Sequence, residues 1–259
     1  MMDLTQKPLA GKTGLVLGIA NQHSIAYGCA KAFRALGAEV AITYLNDKAK
    51  PHVEPLAKEL EARLLLPCDV RRTGQLDAVF QAMRELWGKI DFAVHAIAFA
   101  PKEDLHGRLA DCSRDGFLQA MEVSCHSFIR MARLAEPLMP GGGVLFTMSY
   151  YGAEKVVEHY NVMGPVKAAL ECTTRYLAAE LGPKGIRVHA VSPGPLKTRA
   201  ASGITAFDEL LQKAQSKAPA RSLVSIDDVG VAVAFLGTNA AKLITGETLY
   251  IDGGYHVID

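Results

Sequence analysis

The chain has 259 residues and a mass of 27.8 kDa, with 49% hydrophobic and 21% charged residues. Its 28 Lys plus Arg against 27 Asp plus Glu leave a formal charge of +1. That balance gives no general affinity for nucleic acid, and the composition excludes disordered, collagen-like and disulfide-scaffold chains.

In chain order, short β-branched or apolar runs predict strands over 14–18, 40–43, 64–66, 92–96, 144–148, 188–191 and 248–251. Between them, apolar residues at three- and four-residue spacing predict helices over 25–36, 73–87, 116–134, 160–181 and 226–236. Alternating strands and helices call for parallel strands covered on both faces, joined by right-handed crossovers. The expected fold is therefore α/β, a single doubly wound, Rossmann-like domain over 1–259 with a seven-stranded parallel sheet. The stretch 193–224 is longer and less regular than the other connections. No run of about 18 apolar residues and no signal-peptide pattern occurs, so neither a membrane nor an export role is expected. Five cysteines without a C-x-x-C pair, and eight histidines without H-E-x-x-H, predict reduced thiols, a cytoplasmic setting and no metal site.

Ligands of such a sheet bind at the carboxyl ends of the strands, near the point where strand order reverses. After the first strand, Gly18 permits a sharp turn, Ser24 is a candidate N-cap, and Gly28 would let helix and strand approach closely. A helix N-terminus there would hold a pyrophosphate, although G-x-G-x-x-G is absent. After the second strand, neither an acid for a ribose nor a base for a 2′-phosphate stands at Tyr44 or Leu45, so the preference leans only modestly to NADH, with NADPH left open. Asp69 and Val70 follow the third strand, where an adenine ring would lie; a loop Asp capping the next helix is an equal reading.

Two Tyr–Lys pairs compete for the hydride end of the site, where a phenol serves a developing oxyanion and an ammonium supports it. Tyr151 and Lys155 have the Tyr-x3-Lys spacing of many short-chain dehydrogenases, yet they begin two residues after Ser149, ahead of the expected helix. Tyr160 and Lys167 are seven apart and are expected on one face of the helix 160–181, with Pro165 tolerated near its start.

Gly18-x5-Ser24-Ile25-Ala26-x-Gly28, Ser149-Tyr150 and Tyr160-Asn161-Val162-Met163-Gly164-Pro165-Val166-Lys167 resemble the enoyl-(acyl-carrier-protein) reductases, a divergent group of short-chain dehydrogenases. So do the segments 95–101, 193–203 and 251–254, which carries the similarity over nearly the whole chain. The resemblance implies an enoyl-thioester reductase of fatty-acid elongation, in which NADH gives hydride to the β-carbon. It implies that Tyr160 hydrogen-bonds the resulting enolate, that Lys167 holds the cofactor ribose, and that Tyr150 faces the same substrate. Gly18, Ser24, Ile25, Asp69, Val70, Ile97, Leu196 and Thr198 would line the cofactor. Ala98, Ala200, Ile204 and Phe207 would line the substrate under a lid over 193–224. An acyl carrier protein or another acyl thioester is the implied partner, and a homotetramer the implied assembly. Three features depart from the family pattern: Leu45 at the expected ribose, Ala98 in place of a common glycine, and the acidic pair Asp208 and Glu209 near the lid, where an acidic carrier would be repelled.

Overall fold

Strand β1 (Thr13–Leu17) is buried on both faces: Leu15 and Leu17 enter one hydrophobic core and Val16 the other. This is the period-two alternation of a strand with helices on each side. The computed structural model describes residues 7–198 and 207–258. After β1 come α1 (Ile25–Ala35), β2 (Glu39–Tyr44), α2 (Lys50–Glu59), β3 (Leu64–Pro67), α3 (Gln75–Trp87) and β4 (Phe92–His95). They are followed by α4 (Lys102–His106), α5 (Arg114–Met121), α6 (Ser127–Ala135), β5 (Gly143–Met148), α7 (Met163–Leu181), β6 (Ile186–Pro193), α8 (Phe207–Lys217), α9 (Ile226–Leu236) and β7 (Thr248–Ile251).

All seven strands pair in parallel in the order β3-β2-β1-β4-β5-β6-β7. The order reverses between β1 and β4, which opens the crevice at their carboxyl ends. Apolar residues of α1, α2 and α9 fill the core on one face, and those of α3, α6 and α7 the core on the other. Phe33 of α1 stacks on Phe92 of β4 with centroids 3.8 Å apart, anchoring the first of these layers. Burying one such aromatic or branched side chain contributes about 1.5–3 kcal/mol.

Every predicted strand and helix is present, with four differences at the level of elements. Helix α2 was not expected, because Pro51 and Pro55 interrupt its pattern. Pro51 sits in the first turn, where a missing N–H costs nothing, and burial of Val53, Leu56 and Ala57 offsets the bond Pro55 cannot make. The helix expected over 116–134 is two helices joined by a π-helical turn, Glu122–His126. Within 193–224, α8 is a regular helix whose Leu211 and Ala214 are buried. The fourth difference bears on the site: α7 starts at Met163, so Tyr160 lies in the turn ahead of it and not on the helix face shared with Lys167.

Candidate active site

The turn after β1 is built on a close approach that only glycine allows. Gly18 has φ +102°, and a Cβ there would stand 2.1 Å from the Ala96 carbonyl oxygen, just past β4. Ser24 occupies the N-cap position of α1, but its hydroxyl turns back to accept from the N–H groups of Ala20, at 3.0 Å, and Asn21, at 3.1 Å. The serine therefore shapes the loop and leaves the first N–H groups of α1, from Ile25 onward, without a capping side chain. Gly28 does not serve the helix–strand contact expected of it. A Cβ there would meet Ile226 O at 2.1 Å, and one at Gly230 would meet Gly28 O at 2.3 Å, so the pair allows α1 and α9 to cross in contact.

At the end of β5, Lys167 reaches back from α7 and donates from Nζ to the Met148 carbonyl at 2.6 Å. It is only 4% exposed, and burial lowers its pKa to about 8, with the neighbouring Cys125 and Glu171 working the other way. Tyr160 and Tyr150 meet edge to face with centroids 5.0 Å apart. Burial, and secondarily Glu171, pushes the Tyr160 phenol well above its ordinary value; burial does the same at Tyr150. Both remain protonated at neutral pH. The Tyr150 hydroxyl is buried without a hydrogen-bond partner among the described residues. An orphaned phenol in that position is what a bound polar group would satisfy.

The competing pair is not assembled. Tyr151 packs edge-on against Tyr150 and Tyr255 and hydrogen-bonds the latter, while Lys155 is exposed in the following turn. The Ser149 hydroxyl donates to Glu171 Oε1 at 2.5 Å. Glu171 is a buried acid whose pKa is raised by desolvation, one helical turn beyond Lys167. Sequence reasoning missed it, although its i,i+4 spacing from Lys167 was the available signal.

His95 closes the back of the site. Ser127 donates to Val123 O, so it accepts from His95 Nε2 at 2.6 Å, and Thr147 donates to Nδ1 at 3.2 Å. Burial pulls its pKa down to about 3, and the ring is a neutral strut. Ile97 packs on the core beside it, and the exposed Ala98 precedes Phe99, whose N–H and C=O are both held by the Ser124 hydroxyl of the π-helical turn. Such turns recur at functional sites because they redirect side chains.

At the far end of the crevice Asp69 neither caps α3 nor stands free. Its carboxylate takes a bidentate bond from Arg71, at 3.0 and 2.8 Å, which holds it below the usual carboxylate range. Val70 is buried and its carbonyl accepts from Arg130 at 2.8 Å. Leu45 is half exposed, with no charge at the strand end itself. On the opposite side, Pro195, Leu196 and Lys197 join His23, Leu211, Leu223, Val224 and Ile226 around a cavity of about 290 Å³. Thr198 N–H bonds Leu196 O at 2.8 Å. Phe207 opens α8; Ala200 and Ile204 lie outside the described residues. Asp208 is paired with Lys197 at 2.8 Å, so its charge is locally balanced.

A bound dinucleotide fits this frame: the Gly18 turn admits it closely, the uncapped start of α1 suits a pyrophosphate, and Lys167 reaches the end of β5, the strand next to the crevice between β1 and β4. The family model for Enoyl-(Acyl carrier protein) reductase matches residues 18–256. A curated relative named enoyl-(acyl-carrier-protein) reductase (NADH) 1, from Rhizobium meliloti (strain 1021), is 50% identical over 248 residues, 96% of this chain and 91% of its own length. The crystal structure of the Anaplasma phagocytophilum reductase in complex with NAD is 48% identical with TM-score 0.93, over 97% of this chain and 96% of that one. The Bacillus cereus reductase, solved with NADP+ and indole naphthyridinone, is 42% identical with TM-score 0.94, over 97% and 98%. With near-complete coverage at close to half identity, the chain belongs to the enoyl-(acyl carrier protein) reductase family.

Proposed function

We propose that this protein reduces trans-2-enoyl thioesters carried by acyl carrier protein, using NADH, in fatty-acid elongation. The observation that carries the reading is the buried group at the end of β5: Tyr160, Tyr150 and the Lys167 ammonium bonded to Met148 O. The relatives named as NADH-dependent reductases support the cofactor and the substrate class.

When bound, NADH supplies the hydride for the β-carbon. The negative charge then develops on the thioester oxygen, and Tyr160 donates a hydrogen bond to it from a phenol that burial keeps protonated. Lys167 holds the cofactor ribose and adds positive potential to the same pocket. Tyr150 presents its unpartnered hydroxyl from the other side. Gly18, Ser24, Ile25, Asp69, Val70, Ile97, Leu196 and Thr198 line the cofactor, Asp69 through the loop it braces with Arg71. Ser149 is engaged with Glu171 and Tyr151 with Tyr255, which disfavours ketone chemistry through Tyr151 and Lys155.

The segment 193–224 acts as the substrate lid of one domain spanning 1–259, with Ala98 and Phe207 on the acyl path. In support, Leu210 of α8 packs against the cluster holding Tyr160, and Ala214 against Tyr255. The assembly is a homotetramer in the cytoplasm. Phe117, Leu118, Ile129 and Tyr176, exposed on α5, α6 and α7, supply apolar surface for its contacts.

The test follows NADH absorbance with crotonyl and longer enoyl thioesters against a ketone control. Enoyl substrates should be consumed and the ketone should not. Tyr160→Phe should lower kcat about 10²-fold while Tyr151→Phe retains most turnover. The reverse order would overturn the reading.

A further inference from the structure

The turn that presents Tyr160 is unusual in its backbone. Among the described residues four non-glycine positions have positive φ, and two of them, His159 at +62° and Asn161 at +35°, flank Tyr160 directly. Left-handed backbone costs free energy for any residue with a Cβ, and it persists only where the surroundings over-determine it. Asn161 supplies such a constraint. Its Nδ2 donates to the Leu105 carbonyl at 2.7 Å, across 56 residues of sequence.

The Leu105 carbonyl is one of the last in α4, where the helix itself provides no N–H donor for it. Helix α4 is in turn fixed to α5. Asp104 accepts from the N–H of Ser113 at 2.6 Å and from its hydroxyl at 3.1 Å, and Ser113 caps α5 by accepting from Gly116 N. Ala120 of α5 and Leu105 then pack in the same cluster as Tyr160, Val162, Met163 and Val166. On its other side the Tyr160 ring lies against the backbone of Gly152, where a Cβ would come within 2.6 Å of Cδ1. The ring is thus held by packing, but the direction of its Cα–Cβ bond is set by the turn, and the Asn161 amide is the polar tie that holds the turn.

We propose that Asn161 is a positioning residue: by bonding Leu105 O it holds the left-handed backbone on either side of Tyr160, at His159 and Asn161, and so aims the Tyr160 hydroxyl at the reacting oxygen. This rests on the reading of Tyr160 as donor to the enolate. Asparagine suits the task on two counts, since it tolerates positive φ better than most residues and its amide carries the N–H that a carbonyl needs.

The experiment is a double-mutant cycle on kcat for NADH-dependent reduction of a crotonyl thioester, with NADH affinity measured by fluorescence titration. Asn161→Asp keeps shape and tolerance of positive φ but cannot donate; Asn161→Gly frees the backbone but offers no amide. Both should lower kcat about tenfold or more, a loss typical of misplacing a catalytic group, and leave the NADH dissociation constant within about twofold. In the Tyr160→Phe background the same substitutions should cost nothing further. Wild-type kcat in both variants, or an equal loss with and without the Tyr160 hydroxyl, would overturn the proposal. Failure of the underlying reading shows separately, as full turnover in Tyr160→Phe alone.

Discussion

Lys167 is a buried side chain whose proposed role can be tested by pH. Burial takes its pKa from 10.5 to about 8, so the free protein loses the ammonium as pH rises through that value. Affinity for NADH should fall above pH 8, by up to about tenfold per pH unit, if the cofactor is held by the charged form. Fluorescence titration across pH 7 to 10 checks this, and Lys167→Met should bind weakly with no such slope. The stability contribution runs the opposite way. Between about 8 and 10.5 the unfolded chain keeps a proton that the folded chain has released, so this group adds stability as pH rises. Gly18 makes a steric prediction at the same scale. Gly18→Ala combines positive φ with a 2.1 Å clash against a backbone oxygen, and should cost about 3 kcal/mol or more as well as abolish NADH binding. Urea denaturation measures the first. Gly18, Tyr160 and Lys167 were all legible as residues, because glycine after a strand and a phenol near a lysine have few other uses. Glu171 and Asn161 were not singled out, since their work depends on partners 22 and 56 residues away.

Among the elements, α7 shows where periodicity misleads. The apolar spacing continues through the turn at 160–162, yet the helix begins at Met163 because His159 and Asn161 adopt left-handed backbone. Helices α1 and α9 show the converse: Gly28, expected to bring helix and strand together, and Gly230 are instead the contact between two helices. Gly28→Ala should force the pair apart and destabilise the protein by about 2–3 kcal/mol by thermal or urea unfolding. Helix α9 also begins with a reciprocal cap, in which Ser225 accepts from Asp228 N and Asp228 accepts from Ser225 N. Ser225→Ala should cost about 1 kcal/mol by the same measurement. Helix α8 lay hidden in an irregular stretch because its stripe is short and its partners, Tyr151 and Tyr255, are distant in sequence.

At the scale of the whole molecule, the charge of +1 is a sum over a surface that is locally paired. Asp208, the acid that would repel an acidic carrier, faces Lys197 at 2.8 Å, and both are more than 70% exposed. An exposed pair of this kind contributes little to stability but balances the Asp208 charge locally. Lys197→Glu should therefore raise KM for the carrier-bound substrate at low salt and leave KM for a small enoyl thioester unchanged. Assembly makes a further prediction: Ile129→Glu with Tyr176→Glu should convert a tetramer to smaller species in light scattering.

What the amino-acid sequence determined by itself was the local and the periodic. It specified seven short apolar strands, the helices that alternate with them, a parallel doubly wound sheet, and a Tyr–Lys segment with spacing unlike that of the hydroxyl-oxidising relatives. These follow from side-chain size, spacing and glycine position, which act over a few residues. Tertiary structure alone decided that Ser149 bonds Glu171 and that a glycine pair joins α1 to α9. It also decided that Tyr160 stands in a strained turn tied to Leu105. Each of these is a hydrogen bond or a steric contact between segments far apart in the chain. Its energy exists only once the sheet has brought the strand ends together.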